Sequence, residues 1–371
     1  MTELKTWVRR LSSPSIFYYS LFWLMILLFW GTVAQKDLGL YQAQETFFSS
    51  WVLWLGDVVP TPGGRLTMLV ITLNLTMKLF FASRLHWKGW GILITHFGAW
   101  LLMLGGLLTA YFSSEGNLVV VEGGRSNLVE DYHLNEIAFI DTRPVLENQV
   151  ISFSGKYLRK GAELRHPELP FEVEVLDVMV NTTPVKKIGV VSEEERGMAR
   201  RFDLAKLPRD PQSERNRGGV RLRISGLGDQ DGVYALFSGM GVPQIFNVEG
   251  GEIEIGIRRR TSPLPFEVKL IDFERQVHPG TRMPKSFKSE VLILREGTKT
   301  QATISMNKPL RINEYTLFQS SFSEDGIRET SIFAVVENHG RIFPYISSII
   351  ICLGIGLHLV LQLPSLIRRV G

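Results

Sequence analysis

The residues that decide the fold are 89–114, GWGILITHFGAWLLMLGGLLTAYFSS, a run without a single Asp, Glu, Lys or Arg. Roughly 20 helical residues cross a hydrocarbon core of about 30 Å, so this run is long enough to span a bilayer. It contains one histidine, His96. An ionisable side chain in such a span is costly and usually functional. Because no carboxylate accompanies it, His96 is a candidate ligand for a metal ion or a haem iron.

A second histidine, His358, lies in a similar apolar run at residues 342–366, beyond a long polar segment. Two further apolar runs precede residue 89. Residues 15–34 carry no charge, and residues 66–83 carry only Lys78. The pattern therefore predicts four transmembrane helices, three near the N-terminus and one near the C-terminus.

Three parts of the chain follow from this pattern. Residues 1–114 form an N-terminal membrane domain with three transmembrane helices, and residues 115–341 form a large extracytoplasmic domain. Residues 342–371 form the fourth helix and a basic tail. Basic residues mark the cytoplasmic side of a membrane protein. On the proposed cytoplasmic side they greatly outnumber the acids, and they are Lys5, Arg9, Arg10, Arg84, Lys88, Arg368 and Arg369.

We therefore expect a multi-pass protein of the bacterial cytoplasmic (inner) membrane, with both termini cytoplasmic and the large domain periplasmic or extracellular. In this orientation His96 lies about seven residues, or roughly 10 Å, from the cytoplasmic end of its span. His358 lies about five residues, or roughly 8 Å, from the same side. Two imidazoles at similar depth predict a shared metal or haem site in the inner leaflet.

Lys78 falls at nearly the same depth. It is a candidate partner for a haem propionate, or it extends to the cytoplasmic headgroups. Either histidine could instead hydrogen-bond a neighbouring helix. Gly91, Gly98 and Gly105 repeat every seven residues and predict a close-packed helix seam, from which His96 points away.

The net charge of +4 and the isoelectric point near 9.1 do not require a nucleic-acid partner. The charges of residues 115–341 nearly balance, so the positive excess belongs to the membrane flanks and suits anionic lipids. The single cysteine, Cys352, lies in the fourth span. One cysteine rules out an internal disulfide, a Cys-x-x-Cys redox pair and a cysteine zinc cluster. Any thiol chemistry must come from another protein.

Residues 115–341 are predicted to be β-rich. Apolar and polar residues alternate in runs such as 171–176, 220–224 and 266–271, as in half-buried antiparallel strands. Leu169–Asp177 recurs in similar form as Leu264–Asp272, which is compatible with two β units packed as a sandwich or with one recurring strand motif.

No catalytic motif is found in this domain, and no catalytic residue is assigned. The polar stretch Ser192–Gly219 is interpreted as an insertion or mobile loop. Four histidines of the domain are either outer ligands or surface residues: His133, His166, His278 and His339.

Motifs at both ends of the chain resemble those of ResB-type (ResB-like) cytochrome c biogenesis proteins. The N-terminal motif is Gly31-Thr-Val-Ala-Gln35. The C-terminal motifs are Leu270-Ile-Asp-Phe273, Pro279 to Lys285, Ser289, Met306-Asn-Lys-Pro-Leu310 and Tyr315 to Phe322, followed by Gly354, Gly356 and His358. At Glu337-Asn-His-Gly340 the chain departs from the Asp-Pro-Gly turn of the family.

The resemblance implies a role in carrying haem b across the membrane and delivering it for covalent attachment to exported apocytochromes c. It implies a ResC/CcsA-type haem-handling partner and a thiol-reducing protein in the same pathway. The chain would then be a non-catalytic or co-catalytic subunit of a cytochrome c haem lyase (synthase) complex. A span-three histidine of the family is implicated in haem binding, and His96 holds that position. The second axial ligand is His358 or a histidine of the partner.

Two other functions are compatible with the residues. One is a membrane-anchored scaffold that recruits an exported partner without binding haem. The other is a quinone-linked cytochrome b-type electron carrier. Such carriers usually stack two histidine pairs across the membrane, whereas this chain has one pair on one side.

Overall fold

A computed structural model describes residues 2–56, 58–82, 86–144, 148–189, 191–281, 283–295, 297–324 and 329–370. Arg84, one of the predicted cytoplasmic cations, lies outside these residues. The chain forms two compact units. The helical unit comprises Met1–Ser114, Arg311–Thr316 and Val336–Gly371, and the β unit comprises Glu115–Leu310 and Leu317–Val335.

Six α-helices are present in the described residues: α1 (Thr2–Leu11), α2 (Pro14–Leu38), α3 (Leu40–Ala43), α4 (Gly64–Thr76), α5 (Trp90–Phe112) and α6 (Phe343–Val370). π-Helical turns follow α3 at Gln44–Phe48 and α4 at Met77–Ala82. Four segments are long and apolar enough to cross a membrane: Thr6–Leu38, Gly64–Ala82, Trp90–Phe112 and Phe343–Leu363. The prediction of four such helices is confirmed.

Local sequence sets the ends of α2. Ser13 occupies the N-cap in an extended conformation and Pro14 takes the first helical position, where its missing N–H costs nothing. Gly39 ends the helix with a φ of 76°, a conformation that side chains other than glycine rarely adopt.

α5 and α6 pack closely along the glycines of α5. Gly91, Gly98 and Gly105 are all buried. A methyl group added at Gly98 would lie 2.7 Å from Cγ1 of Ile351, and one added at Gly105 would lie 2.7 Å from Cγ of Phe343. The predicted glycine seam is confirmed, since small residues are what allow helix backbones to approach this closely.

Polar side chains attach α4 to its neighbours. Asn74 donates from Nδ2 to the carbonyls of Leu11 and Ser13, at 2.6 and 2.9 Å. These two carbonyls lie at the junction between α1 and α2, where helix ends leave backbone acceptors unpaired. Trp100 of α5 donates from its indole to Oγ1 of Thr76, at 2.9 Å. α2, α4 and α5 are therefore held by hydrogen bonds as well as by apolar packing.

A hairpin of β1 (Val52–Leu55) and β2 (Val59–Pro62) lies between α3 and α4. After α5 the chain is almost wholly β. The strands are β3 (Ser114–Val121), β4 (Arg125–Asp141), β5 (Gln149–Ser154), β6 (Glu163–Leu164), β7 (Glu172–Met179), β8 (Thr182–Lys186), β9 (Phe202–Lys206), β10 (Gly219–Ser225), β11 (Gly232–Phe237), β12 (Gln244–Val248), β13 (Gly251–Val277), β14 (Pro284–Arg295), β15 (Thr298–Ser305), β16 (Leu310–Ile312), β17 (Tyr315–Glu324) and β18 (Glu329–Glu337).

The largest sheet has ten strands. Its order is β15-β14-β13-β4-β3-β18-β17-β16, with β12 paired to β13 and β5 to β4. A second sheet has the order β11-β10-β7-β6. Phe139 of β4, Ile255 of β13, Val175 of β7 and Leu222 of β10 belong to one buried cluster, so side chains of both sheets share a core. The prediction of a large β-rich domain is confirmed.

The two copies of the internal repeat lie in different sheets. The first copy leads into β7 of the four-stranded sheet, and the second lies within β13 of the ten-stranded sheet. The phenylalanine of each copy, Phe171 and Phe266, is buried.

The stretch Ser192–Gly219, interpreted as an insertion or mobile loop, contains regular structure that the sequence did not predict. This stretch contains β9, which pairs with β8. It also contains the buried Glu195, whose Oε1 accepts from the Lys187 ammonium at 2.5 Å. The Lys187–Glu195 pair, largely removed from solvent, therefore holds the segment against the rest of the β unit. The sequence alone showed only that the segment is polar.

Candidate functional site

A cavity of about 340 Å³ lies beside α5 within the helical unit. Its lining is apolar except for two imidazoles and one ammonium group, and it consists of Lys78, Leu79, Ala82, His86, Gly89, Ile92, Leu93 and His96. The volume is near the lower end of ligand pockets, which span about 300–1,000 Å³. Two of the three predicted site residues, His96 and Lys78, therefore face one space.

The orientation of the His96 imidazole is fixed by a hydrogen bond. Nδ1 lies 2.7 Å from the carbonyl oxygen of Ile92, one turn earlier in α5. Because a carbonyl can only accept, Nδ1 carries the proton and donates. In the neutral imidazole Nε2 then keeps its lone pair, and the side chain is exposed on the helix surface. Metal-binding histidines are usually prepared in this way, with one nitrogen held by the protein and the other left to the metal.

Lys78 reaches the same cavity from the π-helical turn Met77–Ala82. Such turns are rare and occur often at functional sites, because the extra residue turns a side chain that a regular helix would direct elsewhere. Phe80 of the same turn meets Trp100 edge-to-face at 5.3 Å, and Phe97 stacks on Trp100 at 6.0 Å. This aromatic cluster fixes the turn against α5.

His86 is the cavity residue that sequence reasoning missed. Its ring lies directly over Gly89, where an added methyl group would come 3.0 Å from both ring nitrogens. Gly89 therefore allows the loop before α5 to fold back so that His86 reaches the cavity. His86 stands between Arg84 and Lys88 in the sequence, a basic stretch that indicates the cytoplasmic side by its charges alone. The signal that could have identified His86 is its position, ten residues before His96 in the sequence.

His358 lies elsewhere. Its backbone packs against Gly91, on the seam side of α5. His96 is five residues beyond Gly91, which places it about 140° around the helix and about 7.5 Å along it. The structure thus brings His96 together with Lys78 and His86, and it does not place His358 on their face of α5. Whether each of these residues binds haem stays a prediction.

The two imidazoles also differ in their hydrogen bonding. Nδ1 of His358 is buried and has no hydrogen-bond partner among the described residues. To offer Nε2 to a metal, His358 would have to bury an unpaired Nδ1–H, which is costly. His96 meets no such penalty, because Ile92 accepts its proton.

The remaining histidines have local partners. Nδ1 of His133 lies 2.7 Å from Oγ of Ser213, and burial lowers the pKa of His133, against the opposing effect of Glu214. His166 lies 3.7 Å from a carboxylate oxygen of Glu168. The His278 carbonyl accepts from Thr281 in a turn, and Nδ1 of His339 lies 3.0 Å from the Phe112 carbonyl. The imidazoles of His133, His166 and His339 thus have polar neighbours, whereas the contact at His278 involves its backbone alone.

Family-motif residues converge on a buried hydrogen-bond cluster in the β unit. Ser289 donates to Oε1 of Gln319 at 2.7 Å, and Gln319 donates from Nε2 to Ser331 at 2.8 Å. Ser289 and Ser331 are fully buried. A satisfied cluster of this kind fixes strand register and needs no catalytic role.

The cavity residues fit a haem. Apolar walls would suit the macrocycle, Nε2 of a neutral His96 ring would offer the iron a nitrogen ligand, and Lys78 and His86 would donate to the carboxylates. The volume of about 340 Å³ is small for so large a group.

Two comparisons bear on the family. Residues 240–345, from β12 to the start of α6, match the model of the ResB-like family. Protein NrfI of Wolinella succinogenes is 22% identical to this chain over 297 residues, which cover 77% of the chain and 29% of NrfI. The chain thus spans less than a third of the length of this relative. The predicted resemblance to ResB-type proteins is confirmed, and the match lies over its C-terminal motifs.

Proposed function

We propose that this chain is a membrane subunit of cytochrome c biogenesis that holds haem b at the His96 cavity on its way to exported apocytochromes. The ResB-like match and the similarity to NrfI support the general role. The observation that supports the finer proposal is the hydrogen bond from His96 Nδ1 to Ile92, because Nε2 of the neutral ring then keeps a lone pair that a metal can take. Haem ligated by two imidazoles has no open position for oxygen, which suits transfer and storage.

Lys78 and His86 take the propionates in this proposal. The His86 ring rests on Gly89, seven residues or about 10 Å before His96 along α5. That separation is comparable to the reach from a haem iron to its propionate edge. An ammonium group and an imidazole N–H both donate to carboxylates, so the pair orients the macrocycle with its carboxylates toward the N-terminal end of α5.

The second axial ligand comes from outside this chain. His358 belongs to α6, and its backbone packs against Gly91 on the seam side of α5. Its imidazole would bury an unpaired Nδ1–H if Nε2 bound the iron. A histidine of a ResC/CcsA-type partner, placed across the open side of the cavity, avoids both problems. The site is then shared between two proteins and is complete only in the complex.

The helical unit lies in the bacterial cytoplasmic membrane, with its termini in the cytoplasm and the β unit outside. Four apolar helices and the basic residues at one set of helix ends support this arrangement. The β unit binds the apocytochrome and carries no haem-attachment activity of its own. Reduction of the client cysteines belongs to a separate thiol-reducing protein, since Cys352 is the chain's single thiol.

Cytochrome c yield in cells tests the role. A strain lacking this protein is complemented with the wild type, His96→Ala or His166→Ala, and covalent haem in exported cytochromes is measured by haem staining. His166 is a matched control because it lies in the β unit beside Glu168. Wild type and His166→Ala should restore covalent haem, and His96→Ala should lower it at least tenfold at equal protein level. Full yield in His96→Ala would contradict the proposal and favour a scaffold that does not bind haem.

A further inference from the structure

The segment between α2 and α4 folds back along α2. Phe47 and Leu53 form a buried cluster with Leu27 of α2, and the cluster is flanked by Trp23 and Ala34. The β1–β2 hairpin therefore packs on the body of α2, not on its end.

This position sets the depth of the hairpin. Leu27 lies twelve residues after Ser15 and seven before Ala34, within the charge-free run of α2. At about 1.5 Å per residue, these separations are about 18 and 10 Å. If α2 crosses the bilayer, the part of the hairpin that contacts Leu27 lies at the depth of the acyl chains.

The described strands of the hairpin are apolar on both faces, whereas Asp57, between them in the sequence, lies outside the described residues. Leu53 is buried against α2, whereas Trp54, Val58 and Val59 are exposed by 57, 77 and 52%. Thr61 is the one polar side chain among the described residues 51–62, and its hydroxyl donates to the Leu53 carbonyl at 2.8 Å. In water, an isolated two-stranded hairpin is marginal at best, and one with two apolar faces would also expose a costly surface.

The backbone of β2 is also adapted to an apolar environment. Pro60 and Pro62 stand opposite Trp54 and Val52, and neither proline has an N–H to leave unpaired at the outer edge of the hairpin. The Pro62 carbonyl accepts from the Trp23 indole at 2.8 Å. Unpaired backbone groups are what exclude strands from the hydrocarbon core. At this edge the two prolines lack an N–H, and the Pro62 carbonyl has a donor.

We infer that the β1–β2 hairpin is a re-entrant membrane element whose exposed face contacts the acyl chains of the bilayer. The inference rests on the contacts with α2, the two apolar faces and the two prolines, and it does not depend on haem binding. It assigns a lipid-facing role to the hairpin in the segment between the first two spans. Exposed Trp54 and Val59 then need no protein partner to cover them.

Site-directed labelling of the full chain in phosphatidylcholine vesicles tests the inference. In a Cys352→Ala background, Val59→Cys is compared with Ile188→Cys, which lies in the β unit and is 96% exposed. Val58→Cys serves as a second hairpin probe. A charged, membrane-impermeant maleimide should label Ile188→Cys at least tenfold faster than either hairpin variant, and all three equally after denaturation in detergent.

An environment-sensitive fluorophore on the hairpin cysteine then identifies what covers it. Quenching by spin-labelled acyl chains should be strong for Val59→Cys and absent for Ile188→Cys. Labelling of the hairpin as fast as the control would overturn the inference, because the hairpin would lie in water. Slow labelling without lipid quenching would also overturn it, because protein and not lipid would then cover the face.

Discussion

The backbone of His358 rests on the Cα of Gly91, so closely that a methyl group at Gly91 would lie 2.5 Å from the His358 Cα. This contact fixes α6 against α5 and directs the two histidines of the membrane spans to different sides of α5. Gly106, in the same helix, has no atom within 4 Å of an added methyl group.

Gly91→Ala should therefore loosen the packing of α5 on α6, whereas Gly106→Ala should be neutral or slightly stabilising. Alanine is favoured over glycine in a helix by about 1 kcal/mol, and at Gly91 the backbone clash outweighs that gain. Thermal unfolding of the full chain in detergent, followed by circular dichroism, measures both variants. Equal midpoints for the two variants would argue against the seam.

His358→Ala should leave the haem spectrum of the purified complex unchanged. Its backbone makes the contact with Gly91, and its imidazole does not line the cavity of His96. The absorption spectrum of the reduced complex, scaled to protein, checks this. Loss of the low-spin bands in His358→Ala at unchanged stability would make His358 the second axial ligand.

Lys78→Met and His86→Gln should each weaken haem retention without changing the axial ligands. Both residues face the cavity at its edge, where they would donate to propionates. Haem should pass from the purified complex to an excess of a haem-free acceptor protein several-fold faster in each variant than in the wild type. The wavelengths of the Soret and α bands should not change. A shifted Soret band in His86→Gln would instead place His86 on the iron.

The β unit should lose a specific stabilisation in acid. Arg143 donates from Nε to both carboxylate oxygens of Asp141, at 2.8 and 2.9 Å, and these bonds lower the pKa of Asp141. The folded pKa lies below the unfolded value of about 3.9, so the stabilisation is complete above that value and is lost as the pH falls through the folded pKa.

Asp141→Asn should consequently reduce the unfolding free energy at pH 7 and have little effect near the lowest pH that the fold tolerates. Asp229→Asn, at an exposed carboxylate, is the control. Urea unfolding of the full chain at several pH values gives both curves. If Asp141→Asn lowered the unfolding free energy equally at every pH, the ionised Asp141–Arg143 pair would not be the source of the stabilisation.

Particular residues show how far the sequence predicted this structure. The four apolar helices follow from runs without charge, and the seam follows from the spacing of Gly91, Gly98 and Gly105, because each is a local pattern. The same spacing predicted that His96 points away from the seam, and the structure shows that α6 packs on the seam. The depth of His358 relative to His96 could not be predicted in the same way. It depends on how α6 is aligned along α5, which is set by contacts between residues far apart in the sequence.

His86 and the β1–β2 hairpin were missed for a related reason. His86 reaches the cavity through a fold-back over Gly89, and the hairpin reaches its position through contacts with Leu27 and Trp23. Neither arrangement has a periodic signature. The role of Ser289 and Gln319 in a buried cluster likewise depends on strand pairing far apart in the chain.

The most direct test of the central claim is the absorption spectrum of the full chain purified with its haem-handling partner, for the wild type, His96→Gly and the control His166→Gly. If Nε2 of His96 ligates the iron, His96→Gly loses the low-spin Soret and α bands, and added imidazole restores them in part by occupying the vacated space. The control retains the wild-type spectrum. An unchanged low-spin spectrum in His96→Gly, without added imidazole, would contradict the account.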